Sequence, residues 1–135
     1  MKKLPIGIQT LSEIIEESYL YVDKTDTALK LIEGGKYYFL SRPRRFGKSL
    51  FLDTLKEVFE GHRELFKGLY IEDKWDWEDQ SPVIRISFGA GVVRSLEDLD
   101  NSMFRILGYA QEYFNIERPD DQSPSSCFDY LIRKA

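Results

Sequence analysis

The 135-residue sequence predicts an α/β fold, an αβα sandwich left incomplete, and three observations carry that expectation. Two runs, 36–40 and 83–88, read as strands, and the first is continuously aromatic and aliphatic, as a strand of a parallel sheet covered on both faces would be. Between and around them lie segments whose apolar residues recur at helical spacing. A basic loop containing Gly47-Lys48-Ser49 joins the first run to one of those helices. Strands alternating with helices indicate layers of helix on sheet.

Each element has its own signal. Thr10 offers a hydroxyl cap with Glu13 three residues later, so a helix is expected over 10–17. Tyr19-Leu20-Tyr21-Val22 is aromatic and β-branched and reads as a short extended run ending at Asp23. Asp23 reads as the cap of a second helix over 25–33, closed by Gly34-Gly35. Lys36-Tyr37-Tyr38-Phe39-Leu40 is the first expected strand. From Ser49 to Glu60, the residues Leu52, Leu55, Val58 and Phe59 fall at helical spacing, with Gly61 as terminator. A short helix over 63–69 follows, then an acidic surface loop over 72–81 with Trp75 and Trp77, which read as packing anchors in preference to an adenine platform. Val83-Ile84-Arg85-Ile86-Ser87-Phe88 is the second expected strand, ended by Gly89 and Gly91. A long helix over 95–113 carries Glu97 and Asp98 in its first turn, where the helix dipole favours acids. A Pro119-Asp120-Asp121 loop precedes a last helix that starts at Ser123-Pro124 and runs to the end of the sequence.

Composition narrows the chemistry. With 42% hydrophobic and 31% charged residues the chain is long enough for one globular domain with a core. No stretch approaches the roughly 20 apolar residues of a membrane span, and the first residues lack an apolar signal core, so the expectation is a cytoplasmic chain without membrane contact. A single cysteine, Cys127, forbids an internal disulfide, and it reads as core on a helix face beside Phe128 and Leu131. A single histidine, His62, removes most zinc sites and the usual nucleophilic triads, and reads as a solvated or helix-end residue. The net charge of −4 disfavours a whole-surface nucleic-acid binder, but a local basic cluster acts over about 8 Å, the Debye length.

That cluster is the loop Ser41-Arg42-Pro43-Arg44-Arg45-Phe46-Gly47-Lys48-Ser49-Leu50. Between a strand and a helix, unpaired N–H groups of loop and helix start would converge on one concavity and favour a polyphosphate. Gly47 permits close backbone approach, Lys48 reaches phosphate oxygens, and the Ser49 hydroxyl completes a magnesium shell. The expected nucleotide-binding residues are Pro43, Arg44, Arg45, Phe46, Gly47, Lys48, Ser49 and Leu50, with ATP and Mg as cofactors and Ser49 as the metal contact. The usual pattern has a glycine where Arg42 stands. Pro43, with φ pre-set, is expected to shape that turn instead and to carry Arg42 outward. Arg42, Arg44, Arg45 and Lys48 place four cations within seven residues, a density that repels unless an anion neutralises it. For Arg44 and Arg45, solvated charge, pairing with the acids of 72–79 and nucleic-acid backbone contact remain open beside the phosphate reading, the nucleic-acid reading being disfavoured for want of an adjacent aromatic stripe.

At this string the sequence resembles the AAA-ATPase-like family of bacteria and archaea, whose loop has the form Phe-Leu-Ser-Arg-Pro-Arg-Arg-Phe-Gly-Lys-Ser-Leu, here Phe39 to Leu50. The likeness extends to Leu4-Pro5-Ile6-Gly7, Tyr21-Val22-Asp23-Lys24-Thr25, Phe59-Glu60-Gly61, Leu65-Phe66-Lys67-Gly68-Leu69-Tyr70-Ile71 and Pro82-Val83-Ile84. The resemblance implies the N-terminal portion, 1–135, of a P-loop NTPase-like αβα sandwich with a variant Walker A loop, part of a predicted ATPase. Members often continue into a PD-(D/E)XK nuclease-like domain, of which this chain contains nothing. The resemblance also places the Walker B strand, with its Asp-Glu, beyond a helix that looks like 127–135, so no catalytic acid is assigned. Glu72 and Asp73 are a weak substitute and read as surface acids. The alternative functions are an interaction module, self-associating through an open sheet edge, and a nucleic-acid-associated fragment without ATPase activity.

Overall fold

The computed structural model describes residues 2–87, 94–117 and 123–135. Among them the chain forms five α-helices and a 3-10 turn: α1 (Leu11–Glu16), α2 (Thr25–Gly34), α3 (Lys48–Phe59), the turn Arg63–Phe66, α4 (Leu96–Tyr113) and α5 (Pro124–Lys134). No helix of the described residues is long and apolar enough to cross a membrane. The expected end of the second strand, Phe88 with Gly89 and Gly91, and the Pro119-Asp120-Asp121 loop lie outside the described residues.

The αβα sandwich is not what the chain adopts, because no strand is formed among the described residues. The reason is visible at 36–40. Among the described residues none of its peptide groups is hydrogen-bonded, and Tyr37 and Phe39 are 94% and 93% exposed. A strand exists only where another strand accepts its ladder. Apolar continuity in the sequence indicates what such a segment would bury, not that a partner is present. The run 19–22 likewise forms no strand: its Leu20 N–H donates to the Lys3 carbonyl at 2.8 Å. Residues 83–87 also stay outside any sheet.

The helices follow local signals. Ser95 caps α4 by accepting from the Asp98 N–H at 3.0 Å, and Ser123 caps α5 by accepting from Ser126 N–H at 3.3 Å, with Pro124 at the first turn. The end of α3 is fixed by a pair of bonds: Gly61 N–H to the Val58 carbonyl at 3.2 Å and His62 N–H to the Glu57 carbonyl at 3.1 Å. This 5→2 and 6→1 pattern needs a left-handed residue just past the helix, and Gly61 has φ +78. A side chain there would also meet Gln80, whose Nε2 lies 2.5 Å from the position a Cβ would take. Ser81 N–H donates to the Phe59 carbonyl at 2.8 Å, so the acidic loop returns onto the end of α3.

The chain divides into two compact units, Met1–Val83 and Ile84–Ala135. In the first, α1 and α2 pack on α3. Its core gathers Leu11, Leu29, Val58, Leu65, Phe66 and Ile71, with Trp75 and Trp77 partly buried against it. Both tryptophans are packing anchors, as their sequence suggested. Trp77 lies 5.0 Å from the Phe66 ring and donates its indole N–H to the Glu72 carbonyl at 2.8 Å, while Trp75 meets Phe59 edge-on at 6.0 Å. In the second unit, α4 and α5 pack together around Leu107, Leu131 and the expected core residue Cys127, with Ile84 against them.

Candidate functional site

The basic loop and the first turn of α3 are where the expected site residues meet. Pro43, Arg44, Arg45, Phe46 and Gly47 are exposed, and Lys48, Ser49 and Leu50 are half-buried on the helix. Two residues of the loop are left-handed, Arg45 at φ +67 and Gly47 at φ +73. Left-handed residues in a tight turn of backbone are one ingredient of anion-binding nests. For Arg45, a residue with a Cβ, the conformation costs about 1–2 kcal/mol.

Gly47 is the N-cap of α3, and no side chain caps this helix. The first amide of the helix to find a backbone acceptor is that of Phe51, which donates to the Gly47 carbonyl at 3.0 Å. The N–H groups of Lys48, Ser49 and Leu50 are therefore free among the described residues, and no acid stands in the first turn to satisfy them. A 12-residue helix directs its positive end here. Among the described residues none of Arg44, Arg45 or Lys48 forms an ion pair. The acids of 72–79 do not neutralise them: Asp73 lies 4.0 Å from Arg63, and Glu72 accepts from the Gly68 N–H at 2.6 Å. Glu72 and Asp73 sit in turns, not at a strand end. Arg42 departs from its expected outward position, its guanidinium lying 5.8 Å from the ring centre of buried Phe51.

What holds α3 in place was only partly visible in the sequence. Buried Asp53, one and a half turns into α3, accepts the Leu11 N–H at 2.7 Å and so caps α1 from a distant part of the chain. Thr10, the expected cap, makes no such bond. The clue was an acid on the packed side of a helix. Asp23, expected as the cap of α2, lies one residue before the N-cap, which is Lys24, and holds the helix start from there. One carboxylate oxygen accepts from the Thr25 amide at 2.8 Å and hydroxyl at 2.7 Å, and the other from the Tyr70 amide at 2.7 Å. Buried Thr25 accepts from the Ile71 amide at 3.2 Å, tying the start of α2 to the turn after the 3-10 segment. Tyr21, beside this network, has its phenol pushed up by burial and by Asp23, against the opposing hydrogen bond to Thr54.

A second group of titratable side chains gathers at the far end of α3. Ligand atoms of Glu57, Glu60 and His62 lie within 4.8 Å of one another, near enough in principle to surround a cation. The Lys56 ammonium already occupies that role, at 2.6 Å from Glu60 and 3.3 Å from Glu57. Burial alone would lower the Lys56 pKa, but the hydrogen bond to Glu60 and the two carboxylate charges outweigh it and hold the group well above its ordinary value. His62 Nδ1 sits 2.5 Å from Glu57 Oε2. The histidine is thus a helix-end residue bound to a carboxylate of its own helix. A cavity of about 360 Å³ lined by Lys2, Lys3, Glu17, Ser18 and Tyr19 is remote in sequence from the basic loop.

Residues 5–135 match the family described as "Predicted AAA-ATPase". The chain belongs to this predicted AAA-ATPase family. A relative from Azotobacter chroococcum mcd 1, described as "Uncharacterized protein in vnfD 5'region", is 53% identical over 135 residues, covering 99% of this chain and 26% of the relative. The chain thus spans about a quarter of the length of that relative. No solved structure matches it. Family membership points in general terms to ATP, and the description of the relative assigns no activity.

Proposed function

We propose that this chain binds Mg-ATP through a variant Walker A loop, residues 43–50, as part of a larger ATPase. The observation that supports the reading most is the start of α3. Three free amides and the positive end of a helix lie behind Arg44, Arg45 and Lys48, and none of these cations has a carboxylate partner among the described residues. In this reading the amides from Arg44 to Ser49 cradle phosphate oxygens, the Lys48 ammonium meets the terminal phosphates, and Ser49 Oγ ligates magnesium. The left-handed Arg45 and Gly47 aim the backbone at the anion. No sheet is required, because the helix start and the loop supply the donors. The reading is one of binding. Turnover needs an acid that orients water, and no residue of the chain is assigned that part.

Calorimetric titration with ATP and GTP, with and without magnesium, tests it. The expected result is saturable binding that Lys48→Ala weakens at least tenfold, about 1.4 kcal/mol. Binding unchanged in Lys48→Ala, with the variant folded by circular dichroism, refutes the assignment. Affinity that falls steeply with salt for DNA, and is absent for ATP, would instead favour nucleic-acid contact through Arg42, Arg44 and Arg45.

A further inference from the structure

Arg42 stands where phosphate-binding loops ordinarily have a glycine, and it precedes a proline. The proline stiffens the chain: Pro43 has its own φ fixed, and the residue before a proline is pushed toward extended backbone. Stiffness does not by itself place the loop. Among the described residues 41–46 make no backbone–backbone hydrogen bond, so the limb that enters the loop is not held by its peptide groups. The contact that reaches from this limb to α3 is the Arg42 side chain, whose guanidinium lies 5.8 Å from the ring centre of Phe51. Phe51 is buried, and its amide closes the first turn of α3 on the Gly47 carbonyl at 3.0 Å. The ring is therefore fixed to the same turn that presents the amides of Lys48, Ser49 and Leu50. Arg42 is half-buried, whereas Arg44 and Arg45 are exposed, and among the described residues it forms no ion pair. An aromatic face accepts a weakly hydrated guanidinium without a carboxylate beside it.

We infer, resting on the Mg-ATP reading, that Arg42 is a positioning residue of that site: stacked on Phe51, it holds the loop 42–51 closed on α3 and leaves the phosphates to its neighbours. The four cations of the loop then divide into two kinds. Arg44, Arg45 and Lys48 remain for the anion, while the fourth is engaged with a ring and adds less to the repulsion among them. A loop already closed loses less conformational entropy when an anion enters, so the stack acts on affinity without a contact to the ligand. The side chain thus takes over, by an external tie, the shaping of the turn that a glycine performs by its own freedom in the usual pattern. Arginine suits this part better than lysine, because its planar group stacks and its charge is less strongly hydrated.

A double-mutant cycle on Mg-ATP affinity, read by calorimetry, separates a residue acting through Phe51 from one that meets the phosphates. Arg42→Ala and Phe51→Leu are each expected to weaken ATP by about 2- to 30-fold, the range of one cation–aromatic contact, with circular dichroism unchanged. The double variant should be no weaker than the weaker single one. Arg42→Lys, which keeps the charge and loses the planar stack, should weaken ATP nearly as much as Arg42→Ala. A second readout needs no nucleotide and no change at Phe51. Chymotrypsin cleavage after exposed Phe46, followed by mass spectrometry, should quicken in Arg42→Ala while the urea midpoint stays in place, because cleavage follows the population of the opened loop. Losses that add in the double variant mean that Arg42 meets the anion directly, and overturn the inference. So does Arg42→Lys with the affinity of the unaltered chain, or cleavage after Phe46 that Arg42→Ala leaves unchanged. Lys48-dependent ATP binding that Arg42→Ala does not weaken defeats the positioning role alone, whereas no ATP binding by the unaltered chain defeats the Mg-ATP reading and the positioning role with it.

Discussion

Gly47 shows how a single backbone angle sets up the basic loop. At φ +73 it is left-handed, and a Cβ added there would meet nothing within 4 Å, so the space is open and only the dihedral penalises a side chain. Gly47→Ala is therefore expected to lower stability by about 1 kcal/mol, the cost of holding an L-residue in that region. Urea unfolding measures it, and an unchanged midpoint would mean the loop relaxes out of the left-handed geometry. Arg45, left-handed at φ +67 with a long side chain, carries the same strain in the native protein. Strain of this kind gathers at ligand sites, and here it sits among the cations that the sequence singled out. The sequence made the residue types legible because glycine, lysine and serine each have a role in phosphate binding. It could not show Arg45 left-handed or Arg42 drawn to Phe51, since both depend on how the loop lands on the helix.

At the scale of elements, helices were legible where their ends are decided by neighbours in sequence. Ser95 and Ser123 cap as their spacing suggests, and Gly61 closes α3 with the bonds its freedom permits. Elements decided at long range were not. The start of α1 is capped by Asp53 from 42 residues away, and nothing local distinguishes that from the Thr10 cap. Asp53 thus couples α1 to the helix that begins at the candidate site. Removing a buried charged acceptor leaves the Leu11 amide unsatisfied, so Asp53→Ala is expected to cost roughly 2–3 kcal/mol. Asp53→Asn, which keeps an acceptor oxygen, should cost less. Equal losses for the two variants, read from urea midpoints, would show that charge and not the hydrogen bond matters. The two expected strands failed for the same reason as the Thr10 cap. At 36–40 and 83–87 the apolar runs are real, but a ladder needs a second strand, and its presence is a property of the whole chain.

Over the whole molecule, the two compact units divide the apolar residues into separate clusters. The first cluster draws on three helices, the 3-10 turn and the acidic loop, whereas the second rests on a pair of helices with Leu107, Cys127 and Leu131 buried. Burial per residue falls steeply in small units, so the second is expected to be the less stable. Both tryptophans, Trp75 and Trp77, belong to the first unit, which gives each unit its own signal. Tryptophan emission follows Met1–Val83 alone, while far-ultraviolet circular dichroism counts helices of both. In a urea titration the dichroism is therefore expected to begin falling at lower denaturant than the emission, with α4 and α5 lost first. Coincident curves would show instead that the two clusters unfold as one cooperative body. A Leu107→Ala change, which opens space in the smaller cluster and costs about 2–5 kcal/mol there, should move the early dichroism phase and leave the emission midpoint in place. If the emission midpoint moves with it, the free energy of the helical pair is shared with the unit that carries the basic loop, and α4 and α5 contribute to the stability of the candidate site.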